Sequence, residues 1–345
     1  MIRGRRAKGG VGILLLLLLM MVVVMGCNSG GVKDPEKVFL SEMVNLGKGF
    51  LDVFVSFGDM ITGTLGIKAD TKKSEIGKYF SDIEKNMQAT KVKLREILEK
   101  NGKYEKVKIL VDKFIIDTLD KISAGAKEAA KGTVDELFIG NATAGEDAVP
   151  ADFASVNLLI KGIKTIVDVV LKKTEGNSSA TKTDNAEKQS IGKLFGTNAA
   201  DGTEKEAAAA SASIGAVSGA DILRAISDSE LAANNNVAID QAKNAAEIAA
   251  AANKAATNLK ADQKDAVIAG GIALRAMAKG GKFVAKSAEN KSAHAINGAV
   301  ANAVNKVLTT LIVAIRNRVD EGLKEINNVL GKIKQGEGSE TKFSE

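Results

Sequence analysis

The chain has 345 residues and a formal charge of +6, with one cysteine, one histidine, two prolines and no tryptophan. Four of the cations lie within residues 3–8, so the remainder carries +6 − 4 = +2 and gives no indication of the clustered basic face of a nucleic-acid-binding protein. A single cysteine excludes an internal disulfide, and a single histidine without a cysteine partner supports neither a metal site nor a histidine-based triad.

The first 27 residues have the order of an export signal. Four basic residues at positions 3–8 are followed by an apolar run over 13–25, then by Gly26 and Cys27. A membrane-spanning helix needs about 20 apolar residues, so this run is too short to be kept as an anchor. The sequence therefore predicts a signal peptide over residues 1–26 that is cleaved after Gly26.

Cys27 follows the apolar run directly. Residues 24–27 (VMGC) resemble the lipobox of bacterial lipoproteins: Gly26 and Cys27 match its usual pattern, whereas Val24 and Met25 depart from it. The resemblance implies that Cys27 carries an S-diacylglyceryl group and an N-acyl chain. The alternative is an inert cysteine in an ordinary signal anchor. Each buried methylene contributes about 0.8 kcal/mol, so three chains would hold the protein at a membrane through a flexible tether over residues 27–33.

The mature chain is predicted to be all-α, because proline and aromatic residues are scarce and alanine, lysine and glutamate are abundant. Apolar residues spaced by three and four predict a first helix over 34–61, a second over 74–100 ended by Gly102, and a third over 103–131. A short helical piece is predicted at 132–140. These segments favour an antiparallel bundle with short connections.

A loop is predicted at residues 140–150, followed by a central buried helix over 151–173. Apolar side chains cover more than half of the circumference of that helix, and the lysines and aspartate within it exclude a second membrane anchor. Polar stretches at 174–185 and 196–203 are predicted to be exposed.

Alanine dominates residues 204–258, where large apolar residues are few. A short helix is predicted around residues 222–231, and a long helix over 237–259. Alanine favours helix but buries little area, so these helices are expected to pack loosely on the outside.

The last third of the chain has the clearest periodicity. Residues 261–286 predict an amphipathic helix, a turn at Gly280-Gly281 and a short apolar segment. The final helix has one apolar face from Ile296 to Ile333 and is predicted to be capped by Ser292. We expect it to pack along the first three helices and to bring both termini to the membrane end. Residues 335–345 are predicted to be a disordered tail.

The sequence predicts no reaction centre. His294 is interpreted as a solvated residue. The segment Gly280-Gly281-Lys282 lacks the upstream glycine and the following Ser or Thr of a phosphate loop, so it is interpreted as a helix stop. The carboxylates are scattered along polar faces beside lysines. No catalytic, cofactor-binding or metal-binding residue is predicted, no cofactor is expected, and the chain is not expected to be an enzyme.

Several segments carry a family resemblance. Residues 46–50 (LGKGF), 57–60 (FGDM) and 66–73 (GIKADTKK) resemble the start of the variable large proteins, the surface lipoproteins of relapsing-fever spirochaetes. Residues 259–264 (LKADQK) and 273–278 (ALRAMA) are similar to a segment of the related Vls surface antigen of Lyme spirochaetes. The resemblance implies antigenic variation by serial replacement of one surface version by another. It also implies a helical fold with its termini near the membrane and variable loops at the far end.

Together these observations predict an elongated helical bundle over residues 34–334, with a variable portion at about 141–258. The expected partners are outer-membrane lipid, through acylated Cys27, and host antibodies. No nucleic acid is expected. Both a monomer and a homodimer are compatible with the sequence. Antibodies are expected to bind mainly residues 141–150, 174–203 and 234–236. The rival function class is a lipid-tethered adhesin or a periplasmic ligand-binding protein.

Overall fold

The computed structural model describes residues 66–334, apart from 101–103, 198–199 and 256–257, together with 41–42, 44–49 and 52–53. All but residues 41–42 belong to the larger of two units, Met43–Glu345. The predicted signal peptide, Cys27, the tether, most of the first helix, Gly102 and the tail lie outside the described residues.

The described residues are mostly helical, which confirms the predicted all-α class. Ten α-helices are described: α1 (Lys73–Lys100), α2 (Glu105–Phe114), α3 (Asp120–Lys131), α4 (Phe153–Val170), α5 (Asn185–Ser190), α6 (Glu204–Ala216), α7 (Gly219–Ser227), α8 (Ala245–Ala250), α9 (Asp265–Met277) and α10 (Asn290–Lys334). A π-helical turn, Ile115–Leu119, joins α2 to α3, and a 3₁₀ turn, Ile191–Phe195, follows α5. Two short strands, β1 (Thr143–Ala144) and β2 (Val284–Ala285), pair in parallel.

Helices α1 to α3 form the predicted bundle. The apolar stripe of α1 is buried, with Phe80 and Leu94 fully inaccessible. Lys91 in α1 forms an ion pair of 2.6 Å with Asp120 at the start of α3. The second and third predicted helices are therefore confirmed, with the π-helical turn inserted into the third.

The predicted helical piece at residues 132–140 is wrong. This segment is non-helical and forms an antiparallel bridge between Phe138 and Lys72. The Ile139 amide donates to the Thr71 carbonyl at 2.9 Å, and the Lys73 amide donates to the Leu137 carbonyl at the same distance. The backbone groups that a helix would use are thus engaged by residues 71–73, at the start of α1.

Helix α4 is the central buried helix that its composition predicts, and it lies directly against α3. The two backbones meet through glycines: a Cβ at Gly162 would lie 2.5 Å from the Gly125 carbonyl oxygen, and one at Gly125 would lie 2.6 Å from the Gly162 carbonyl oxygen. Asp152 caps α4 by accepting a hydrogen bond from the Ser155 amide at 2.8 Å.

The alanine-rich helices do not pack loosely on the outside, as the sequence predicts; they form part of the core. Ala207, Ala210, Ala245 and Ala249 are at most 2% exposed. Small side chains let backbones approach closely, so the low area that each alanine buries is offset by the number of contacts. The short helix predicted around 222–231 is confirmed as α7.

The long helix predicted over 237–259 is also wrong, because only Ala245–Ala250 is helical there. Asn244 begins α8 as its N-cap and accepts from the Glu247 amide at 3.0 Å. An asparagine side chain that binds the backbone in this way favours a helix start over a helix interior.

Helix α9 was predicted as amphipathic, but it is buried on nearly every side. A Cβ on Gly271 would lie 2.3 Å from the Ile248 side chain, which shows how closely α8 packs against it. The turn predicted after α9 is confirmed: Gly280 has φ +80°, a conformation that glycine accepts without strain.

Helix α10 is the continuous last helix that the sequence predicts. Its starting residue differs: the helix begins at Asn290, and Ser292 lies in its first turn, where its hydroxyl donates to the Glu289 carboxylate at 2.9 Å. Within the described residues, Asn290–Ile333 is long and apolar enough to cross a membrane, yet 56% of its apolar window is buried against the protein.

The predicted packing of α10 along the bundle is confirmed for the described helices. The Tyr79 hydroxyl donates to the Leu308 carbonyl at 2.8 Å, and burial raises the pKa of that phenol far above its usual range. Further along, a Cβ on Gly322 would lie 2.2 Å from the Phe114 ring.

Candidate functional site

The loop predicted at residues 140–150 is present, and most of its residues between 143 and 149 are exposed. Glu146, Asp147 and Val149 face solvent, whereas Ala148 is buried. The loop lies against the segment after α9: the Val149 amide donates to the Lys282 carbonyl at 3.1 Å, and Lys282 and Glu146 form an ion pair. The loop is therefore exposed, and its backbone is fixed by contacts with the segment after α9.

The polar connection between α4 and α5, residues 171–184, is an irregular segment that faces solvent along its length. None of its residues is buried. The prediction of exposure at 174–185 is thus correct. The predicted antibody-binding range of 174–203 is too wide, because Ile191, Leu194 and Phe195 are at most 1% exposed and Asp201 is 7% exposed.

The third segment predicted to bind antibodies, residues 234–236, contains two exposed residues and one that holds the fold. Asn234 and Asn236 are exposed. The Asn235 side chain donates to the carbonyl oxygens of Ala151 at 2.7 Å and Ala250 at 2.9 Å. Asn235 therefore ties this turn to the beginning of α4 and the end of α8.

Two cations beneath the loops, Lys73 and Arg275, are wholly inaccessible to solvent, and neither is predicted from the sequence. Lys73 is inaccessible to solvent, and its ammonium donates to the carbonyl oxygens of Ala278 at 2.7 Å and Gly281 at 2.8 Å, with those of Gly280 and Arg275 at 3.3 and 3.4 Å. Burial lowers the pKa of Lys73 to about 7; the charge of Asp135 opposes this shift and that of Arg275 adds to it.

Arg275 is the second cation, and it is also inaccessible to solvent. Its Nε donates to the Lys282 carbonyl at 3.0 Å, and its Nη1 donates to the Ala249 and Ala251 carbonyls at 3.1 and 3.3 Å. The guanidinium carbon lies 4.9 Å from the centroid of the Phe195 ring, a cation–π distance. Burial lowers the pKa of Arg275 to about 9.

These cations bind carbonyl groups and thereby fix where the chain leaves α9. The Gly280-Gly281-Lys282 segment directs its carbonyl oxygens at a cation, whereas a phosphate loop directs its amides at an anion. Its interpretation as a helix stop is consistent with this geometry. One sequence signal pointed to Arg275: a single charge within the otherwise apolar residues 266–278.

The remaining candidates for chemistry are few. His294 is exposed, as predicted. Across the described residues, no group of three or more His, Cys, Asp or Glu side chains is placed to hold a metal ion. Gly26 and Cys27 lie outside these residues, so the predicted cleavage and acylation remain predictions.

One open groove, with a volume of about 530 Å³, runs between the end of α4, the start of α7 and the middle of α10. Its lining includes Val170 and Val313 together with Lys172, Arg318 and Glu321. Both charge signs and a half-exposed valine give it the character of an ordinary amphipathic surface.

A family model and two relatives match this chain over most of its length, and all belong to one group of proteins. Residues 50–330 match the family model described as Borrelia lipoprotein. The chain is 54% identical to variable large protein 4 of Borrelia hermsii over 324 residues, which cover 92% of each chain. It is also 54% identical to variable large protein 17 of the same organism, over 92% of this chain and 91% of the relative.

The fold also has a solved counterpart. The crystal structure of the Lyme disease variable surface antigen VlsE of Borrelia burgdorferi matches it with a TM-score of 0.72 and 34% sequence identity. The match covers 86% of this chain and all of the VlsE chain.

Proposed function

Because the chain belongs to the Borrelia lipoprotein family, we propose that it is a lipid-anchored outer-surface antigen, one of a set of alternative versions whose serial replacement evades host antibodies. The observation that carries this proposal is the match to variable large proteins over 92% of both chains. The proposal includes no catalytic activity.

The arrangement of the described residues supports a role in antibody binding. Alanine, valine, leucine and isoleucine fill the core, and the exposed loops at 141–150 and 171–184 consist mainly of polar and small residues. Substitutions at such exposed positions usually change stability by less than about 0.5 kcal/mol. Different versions can therefore differ on the outside and keep the same fold.

Attachment to the outer membrane is the second part of the proposal. We propose that signal cleavage after Gly26 exposes Cys27, which receives an S-diacylglyceryl group and an N-acyl chain. Residues 27–33 then form the tether, and residues 34–334 form a single helical domain. Its proposed partners are outer-membrane lipid and host antibodies. A second copy of the chain, in a homodimer on the cell surface, is a further proposed partner.

The test combines lipid labelling with proteolysis of intact cells. We expect radiolabelled palmitate to be incorporated into the wild-type chain and to be absent from a Cys27→Ser variant. We expect protease added to intact cells to remove the protein while a periplasmic marker survives. Survival of the protein would place it in the periplasm and favour a ligand carrier. Host-cell binding that persists after the surface loops are exchanged would favour an adhesin.

A further inference from the structure

We propose that Asp265, Asp221 and Arg224 are positioning residues that hold the exposed loop at residues 171–184 in one conformation, chiefly through its backbone, so that its outward-facing side chains can vary. This inference deepens the proposed function, since it identifies what presents one antibody-facing surface. The loop is an exposed, irregular connection, and the three positioning residues belong to helices that pack beneath it.

Asp265, in the first turn of α9, holds the end of the loop. It is inaccessible to solvent, and its carboxylate accepts from the backbone amides of Lys182 at 2.6 Å and Thr183 at 3.0 Å. The hydroxyls of Thr183, Thr181 and Ser213 complete its donors at 2.5, 3.2 and 2.7 Å. Burial alone would raise the pKa of Asp265, but these hydrogen bonds outweigh it and hold the pKa below its usual range.

The backbone next to Asp265 adds a further tie. The Ala266 amide donates to the Ala180 carbonyl at 3.1 Å. Ala180 is itself fixed within the loop, because its amide donates to the Asn177 carbonyl at 3.0 Å. The end of the loop is thus attached to the start of α9 by consecutive residues.

Helix α7 holds the beginning and the middle of the loop. Arg224 donates through Nη2 to the Lys172 carbonyl at 2.7 Å and the Leu171 carbonyl at 3.2 Å, and through Nε to the Glu175 carbonyl at 3.0 Å. Asp221 accepts from the Asn177 amide at 2.7 Å. Four successive points of the loop are therefore bound by two residues of one helix turn.

The loop approaches α7 so closely that one of its positions must be glycine. Gly176 has φ +78°, and a Cβ there would lie 2.3 Å from the Ala220 carbonyl oxygen. A side chain at that position would clash with backbone, so the freedom to vary does not extend to Gly176.

Because most of these contacts are made to the backbone of the loop, the loop can keep its conformation when its outward-facing side chains change. Apart from two threonine hydroxyls, the groups that the three positioning residues bind in the loop are backbone amides and carbonyls, which every residue except proline offers. The side chains of Lys173, Thr174 and Ser179 are exposed, and among the described residues no hydrogen bond or ion pair involves them. Those positions can change without loss of a contact that holds the loop.

The experiment compares three variants of the full-length chain by amide hydrogen exchange. Asp265→Asn removes the negative charge that strengthens these hydrogen bonds and leaves a single accepting oxygen, so we expect the Lys182 and Thr183 amides to exchange at least about tenfold faster. Asp262→Asn, three residues earlier and exposed in an ion pair with Lys260, is the matched control and should leave those rates unchanged.

The third variant changes the loop surface alone. Lys173→Glu combined with Thr174→Arg and Ser179→Arg should leave loop exchange within about twofold of wild type, because the backbone contacts persist. The proposal is overturned if this variant loosens the loop as much as Asp265→Asn does, or if Asp265→Asn leaves the loop amides protected. Should Asp265→Asn fail to fold, Arg224→Lys, which loses donors to the carbonyls of residues 171, 172 and 175, is measured at the amides of Lys172 and Glu175, with the same criterion.

An antibody measurement adds a readout that depends on presentation. Monoclonal antibodies that lose binding to the triple surface variant recognise this loop. We expect them to bind Asp265→Asn, and a synthetic peptide of residues 171–184, at least about tenfold more weakly than the folded chain, because an unordered loop must be ordered on binding. Equal binding to peptide and folded chain would overturn the proposal. Exchange is measured on purified protein, so a periplasmic location would refute the proposed function and leave this test intact.

Discussion

The ammonium of Lys73 donates a hydrogen bond of 2.7 Å to the carbonyl oxygen of Ala278, although 205 residues separate the two in sequence. The bond joins the first residue of α1 to the residue that follows α9. It therefore connects the N-terminal bundle to the segment that supports the 141–150 loop.

Removal of this ammonium should destabilise the fold. We expect Lys73→Met to lower the free energy of unfolding by about 2–4 kcal/mol, because buried carbonyl oxygens lose their donor. Lys78→Met on the exposed face of the same helix removes an ion pair with Asp82 and should cost less than about 1 kcal/mol. Urea unfolding of both variants measures the difference; equal effects would show that the Lys73 contacts add nothing to stability.

The same residue predicts a pH dependence. Burial lowers the pKa of Lys73 from 10.5 to about 7, so between these values the unfolded chain binds more protons than the folded chain does. The free-energy cost of burying this charge is therefore absent above pH 10.5 and grows as the pH falls towards 7. The free energy of unfolding changes by at most about 1.4 kcal/mol per pH unit over this range. Urea midpoints from pH 6.5 to 9.5 should therefore rise, and the rise should be smaller in Lys73→Met. An identical slope in both proteins would contradict the assignment.

Alanine substitution of a glycine at the contact between α3 and α4 and of a glycine on the open face of α10 should have opposite effects on stability. Gly162→Ala places a Cβ 2.5 Å from backbone atoms of α3, so we expect a loss of about 1–3 kcal/mol from overpacking. Gly298→Ala in α10 meets nothing within 4 Å and should stabilise the helix by about 0.5–1 kcal/mol. Thermal unfolding of the two variants tests the signs, and a stabilising Gly162→Ala would disprove the close packing.

The buried alanines can be tested within one helix. Ala210 of α6 is 1% exposed, whereas Ala212 of the same helix faces solvent. We expect Ala210→Leu to cost about 1–3 kcal/mol because the added atoms have no space, and Ala212→Leu to change stability by less than about 0.5 kcal/mol. Similar values for both would mean that α6 packs loosely, as the sequence alone suggests.

Burial also narrows the expected antibody map. Antibodies raised against intact cells should bind residues 141–150 and 171–187, together with Asn234 and Asn236, and should avoid residues 191–196, which are largely buried. Substitution of exposed residues in each segment, followed by binding of immune serum to whole cells, measures this. Binding mainly to the apolar face of α10 would refute it.

The longest periodic segments could be assigned from the sequence because their apolar stripes repeat over many turns. Helices α1, α4 and α10 were predicted within a few residues of their observed bounds. The segment at 132–140 was mispredicted because its backbone pairs with residues 71–73, a partner distant in sequence that no local pattern reveals.

The sequence by itself determined the helical class, the long apolar faces, the polar loops and the family resemblance, because these depend on local composition and spacing. Only the tertiary structure decided that alanine-rich helices lie in the core, that Lys73 and Arg275 are buried on backbone carbonyls, and that α7 and α9 hold the 171–184 loop. Burial and hydrogen-bond partners depend on which surfaces meet in space, and an alanine, or a lysine at the start of a helix such as Lys73, has the same local pattern whether it faces solvent or core.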